Sequence, residues 1–119
     1  MTVKEFYELV GGDYKIALER LMNDDFIKRM LSKFVSNNSF SVIQEGLNNK
    51  DPKTIFEGAH SLKGVSGNLA LTSLFNKTCA VVEAFRNYQN IKEIQSTKEI
   101  EELESLYIFT KEKIEELIK

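Results

Sequence analysis

The chain has no tryptophan and only one cysteine, one proline and one histidine. Each scarcity removes a class of explanation. A lone thiol, Cys79, forms no internal disulfide, and one Cys with one His falls short of the four ligands a structural zinc site takes. One proline and six glycines in 119 residues leave few breakers, which favours helices. No apolar run approaches the roughly 20 residues that span a bilayer. Met1–Glu5 has no basic stretch leading into an apolar one, so no signal peptide is expected. The formal net charge of −2 offers no basic excess for nucleic acid. Gly11-Gly12 lacks the Gly-Lys-Ser/Thr ending of a phosphate loop, and Gly64-x-x-Gly67 is no nucleotide motif either, so ATP binding is not expected. These exclusions leave a soluble protein of a reducing, cytoplasmic compartment.

What is present is helical periodicity. Thr2 and Glu5 form a capping box for a short helix that stops at Gly11-Gly12, and Asp13 caps a second short helix carrying Ile16, Ala17, Leu18 and Leu21. Asn23-Asp24 opens a third, with Ile27, Met30, Leu31, Phe34 and Val35 on one face. Asn37-Asn38 ends it, and Ser39 or Ser41 starts a fourth through Val42, Ile43 and Leu47; a kinked continuous helix fits the same residues. Asp51-Pro52 is a cap followed by proline at the first helical position, and the helix it opens runs to about Leu69. Leu74, Thr78, Val81, Phe85 and Tyr88 give the next helix its apolar face. Ser96 and Glu99 form a second capping box for the last, which carries Ile100, Leu103, Tyr107, Thr110, Ile114 and Leu117. The expectation is an all-α, antiparallel up-and-down four-helix bundle in a single domain, 1–119. Its bundle spans 24–118, and the short helices of residues 1–22 cap one end.

His60 is the one residue positioned for chemistry. Ile55, Ala59, Leu62, Ser66 and Leu69 make the inner stripe of their helix, and His60 points about 140° from the centre of that stripe. Gly64 and Gly67 share its face, Phe56 flanks it one turn earlier, and Lys63 lies within a turn on the other side. Two glycines inside a helix cost about 0.8–1 kcal/mol each against alanine. On this face they clear the ground beside the imidazole for another protein to approach. A neutral imidazole nitrogen is a competent nucleophile, and histidine is the side chain whose charge changes nearest neutral pH. Lys63 supplies positive charge for an anionic group held there.

His60-Ser61-Leu62-Lys63-Gly64 resembles the His-x-Leu-Lys-Gly signature of the histidine phosphotransfer (HPt) family. The resemblance extends through Asn48–Gly58 before it and from Asn68 to Arg86 after it, and Glu5–Arg20 is similar to single-domain bacterial members. It covers about residues 5–90, with the last helix matching only in pattern. It implies that His60 is the phosphoacceptor, that Lys63 steadies the phosphoryl charge, and that Gly64 and Gly67 give a partner clearance. The implied partners are response-regulator receiver domains or a hybrid histidine kinase. A divalent metal, Mg by expectation, would come with the receiver and none with this chain. The implied protein is a phosphorelay carrier, not an autokinase or enzyme. One position departs from the pattern: many members have glycine ten residues after the histidine, and this chain has Ala70.

Other residues take plainer readings. Phe56 and, at the rim, Lys53 suit docking to a receiver; Phe26 and Phe40 suit the core. Cys79 reads as a buried structural thiol. The run Glu99, Glu101, Glu102 and Glu104 reads as a solvated helix start that also suits the helix dipole. Nothing demands a dimer, so a monomer is expected. The alternative function is a helical adaptor with an inert His60. An enzyme using His60 as general base would need a pocket and a second catalytic group, which a glycine-cleared face does not offer.

Overall fold

Side chains at helix starts decide where the chain turns. A computed structural model describes residues 1–94 and 97–119. Thr2 accepts from the Glu5 amide while the Glu5 carboxylate accepts from the Thr2 amide, opening α1 (Val3–Val10). Gly11, in the left-handed conformation at φ 70°, closes it. Asp13 caps α2 (Tyr14–Leu21), Asn23 caps α3 (Asp24–Val35), and Asp51 caps α5 (Pro52–Asn68). Between α3 and α4 (Ser39–Asn48) the chain breaks, and the Asn37 side chain accepts from the Ser39 amide there, so the two are separate helices.

Two details depart from the expected periodicity. α6 (Thr72–Phe85) ends before Tyr88, which falls in a single 3-10 turn, Tyr88–Asn90. α7 (Lys98–Ile118) opens on Thr97, whose side chain accepts from the Ile100 amide. The capping box expected of Ser96 lies outside the described residues.

The fold is all-α, an antiparallel four-helix bundle. Ser39 meets Ser61, and Gly46 meets Ile55, so α4 and α5 run in opposite directions. α5 packs on α6, α6 on α7, and α7 closes on α3. Tyr107 of α7 stacks on Phe40 at 4.4 Å between ring centroids and tilts against Phe34 at 5.9 Å, so α3 and α4 together act as one interrupted arm. Lys77 of α6 and Glu102 of α7 pair at 2.7 Å, so Glu102 is a tie between helices where a purely solvated role was expected.

The short helices lie across one end. Tyr7 is fully buried against Phe6, and its hydroxyl donates to the Leu69 carbonyl at 2.8 Å; burial pushes this phenol's pKa well above its usual range. The Asp13 amide donates to the Ala70 carbonyl, and Ser73 donates to the Gly11 carbonyl from both its amide and its hydroxyl. The α1–α2 connection is thereby latched to the turn between α5 and α6.

α4 and α5 meet backbone to backbone. A methyl group on Gly46 would lie 2.7 Å from the Ile55 nitrogen, and one on Gly58 would lie 2.9 Å from the Ile43 nitrogen. Those neighbours are main chain and cannot rotate away. Gly58→Ala should therefore lower the unfolding free energy by about 1–3 kcal/mol, the range for overpacked cores, in urea titrations. Ala70, by contrast, sits at φ 55°, which costs a non-glycine residue about 1–2 kcal/mol. Ala70→Gly removes that strain at some loss of chain entropy and a buried methyl, and should raise stability by about 0.5–1 kcal/mol in the same assay.

Candidate functional site

α5 has one face for the core and one for solvent. Ile55, Ala59, Leu62 and Ser66 are fully buried and Leu69 nearly so. Ser66 is accommodated because its hydroxyl donates to the Leu62 carbonyl one turn back at 2.8 Å. On the other face His60 is exposed. Its ring lies against Phe56 at 6.0 Å between centroids and 30° between planes, and Phe56 tilts against Tyr88 at 5.5 Å. The half-buried Phe56 thus supports the imidazole from one side, while Tyr88 supports Phe56. Phe56, Glu57, His60, Ser61 and Arg86 line a shallow surface depression. The Ser61 hydroxyl is tied to Ser39 at 2.8 Å and so fixes the floor to α4.

Charge around the ring comes from two helices. Lys63 is half-buried on α5. Arg86 ends α6 and donates from Nη2 to Glu83 Oε1 at 2.6 Å and from Nε to both carboxylate oxygens at 3.2 Å. Hydrogen bonding and charge from Arg86 hold the Glu83 carboxyl below its ordinary pKa, with a smaller pull from Lys63; the same pair raises the Arg86 guanidinium. The exposed imidazole thus shares its depression with one cation, Arg86, that is engaged by a carboxylate, and has a second, Lys63, one turn on along its own helix.

The family model described as Hpt domain matches residues 29–117. The chain belongs to the Hpt domain family. Searches of curated proteins and of solved structures gave no match. Hpt domains are histidine-containing phosphotransfer modules of two-component phosphorelays, phosphocarriers in type, which work with receiver domains and histidine kinases. The matched span takes in α7, which the sequence resemblance reached only in pattern, and leaves α1 and α2 outside. Among the described residues no helix is long and apolar enough to cross a membrane.

The two glycines on the His60 side of α5 face different surroundings. A methyl group on Gly64 would meet nothing within 4 Å, so the ground one turn after His60 is bare. One on Gly67 would touch the Phe75 ring at 3.4 Å, and the Gly67 carbonyl accepts from Arg20 Nη1 at 2.6 Å. The surface past Gly64 is thus partly roofed by α2 and α6. Lys53 is exposed, one turn before Phe56. Phe40 is buried, whereas Phe26 is half-buried beneath Arg29. Cys79 is half-buried, not buried as expected, because it falls at the edge of the α6 apolar face.

Arg86, Glu83, Glu57 and Tyr88 were not found by sequence reasoning. Arg86 and Tyr88 lie more than twenty residues beyond His60; Arg86 lines its depression, and Tyr88 packs on Phe56 beside it, only because α6 and the turn after it return alongside α5. Glu57, one turn before His60, was within reach of the helical spacing that placed Phe56.

Since Gly64 has open space above it, Gly64→Ala should raise stability by about 0.8–1 kcal/mol through helix propensity alone. A measured loss in urea unfolding would show that the fold itself requires the glycine.

Proposed function

We propose that this Hpt domain is a phosphorelay carrier: His60 takes a phosphoryl group from the phosphoaspartate of one receiver domain and passes it to another. The observation that carries this is a lone, exposed imidazole on a helix whose next turn, at Gly64, is bare. In the forward step a ring nitrogen attacks phosphorus in line. The P–N bond forms as the P–O bond to the aspartate breaks, and the electron pair leaves with the aspartate carboxylate. Return to a second receiver is the same step reversed.

Each residue has a part. Phe56 and Tyr88 hold the ring's direction, so that less orientation is lost on encounter. Lys63 places a positive charge beside the three phosphoryl oxygens, and Arg86 offers a planar fork that fits them. Gly64 lets the receiver's surface come close; Gly67, partly roofed, gives less room. Phe56 and Lys53 meet the receiver at the rim. The divalent metal that receivers use would arrive with the partner, and this chain contributes none. A monomer in the cytoplasm fits the lone thiol, which forms no internal disulfide.

The test is transfer from a labelled receiver. Incubation with a phosphorylated cognate receiver should place acid-labile, base-stable label on this chain, and His60→Gln should abolish it. Gly64→Glu should keep the fold by circular dichroism yet slow transfer about a hundredfold, the scale of a displaced reacting group. Label persisting in His60→Gln would reject the site. No label from any cognate receiver would instead leave an adaptor with an inert His60.

A further inference from the structure

Resting on the phosphocarrier role proposed above, we propose that Glu83 sets how tightly the site holds a phosphoryl group, by competing with it for Arg86. Arg86 lines the same depression as His60, yet its guanidinium is turned to the Glu83 carboxylate through three contacts. Lys63, the other cation of the site, also acts on Glu83. One carboxylate therefore draws on both positive charges that a phosphoryl group on His60 would use.

The pair is exposed, with 56 % and 66 % of the two side-chain surfaces open to solvent, and exposed pairs of this kind hold weakly. A phosphoryl group brings about 1.5–2 negative charges at neutral pH against the single charge of a carboxylate. Once His60 carries phosphate, Arg86 has a stronger anion to turn to, while Glu83 remains nearby as a like charge. Glu83 thus weakens the hold on the phosphoryl group and keeps it transferable. Glu57 is the other carboxylate on this surface; among the described residues it forms no ion pair, so it acts on a phosphoryl group only by direct repulsion.

The experiment needs no receiver. Phosphoramidate phosphorylates an exposed imidazole directly, with ammonia as the leaving group, and 31P NMR then follows the pH titration of the phosphoryl group on His60 in the full chain. Nearby cations lower that midpoint and nearby anions raise it. Glu83→Gln should lower it by about 0.3–1 pH unit, and Arg86→Gln should raise it by a similar amount. In the Arg86→Gln background the Glu83→Gln shift should fall to less than half, whereas a Glu57→Gln shift should be the same in both backgrounds. The shifts should shrink as salt is added, which a purely structural effect would not do. An unmoved midpoint in Glu83→Gln, or an equal shift with and without Arg86, overturns the proposal. Midpoints that move as stated while no receiver exchanges phosphate with the chain would overturn the phosphocarrier role and leave the competition for Arg86 standing.

Discussion

Close contact between α4 and α5 underlies the whole site. Gly46 and Gly58 let the two backbones touch, and the inner stripe from Ile55 to Leu69 is fully engaged as a result. A helix held that firmly on one side does not depend on propensity on the other. That freedom permits an interior glycine at Gly64 and an unshielded imidazole at His60 without loss of the helix. The bare surface around His60 is a consequence of core packing on the opposite face of the same seventeen-residue helix.

Two kinds of order meet at His60. The aromatic run from Tyr88 through Phe56 backs the ring on one side, whereas the charges around it are the half-buried Lys63 and the exposed pair of Arg86 and Glu83. Exposed charge pairs exchange partners at little cost. A group that must be picked up and given away within encounters of limited duration is better served by such a surface than by a closed pocket with fixed donors, because nothing has to open for it to leave.

Much of this was legible in the chain itself. Caps at Thr2, Asp13, Asn23 and Asp51 announce their helices because a short polar side chain before an apolar period has few other uses. The inward stripe of α5 and the exposure of His60 follow from spacing. What spacing could not supply is contact between helices. Arg86 faces His60 only through the crossing of α5 and α6, and Glu102 meets Lys77 only through that of α6 and α7. Tyr88 continued the α6 period on paper, but the helix stops at Phe85 and the ring serves Phe56 instead. The departure at Ala70 also has its explanation in the backbone. The turn there needs a left-handed residue, which glycine adopts freely and alanine adopts under strain.

The phenol of Tyr7 sits outside the matched family span, yet it donates to the carbonyl of Leu69, the residue that caps the helix bearing His60. With the Asp13 amide on Ala70 and Arg20 on Gly67, three groups from the first twenty residues satisfy acceptors where α5 ends. The start of the matched family span, at Arg29, therefore does not coincide with the limit of the packed unit. A fragment trimmed to the matched span would leave the terminus of the His60 helix fraying, with the buried Leu69 carbonyl stripped of its donor.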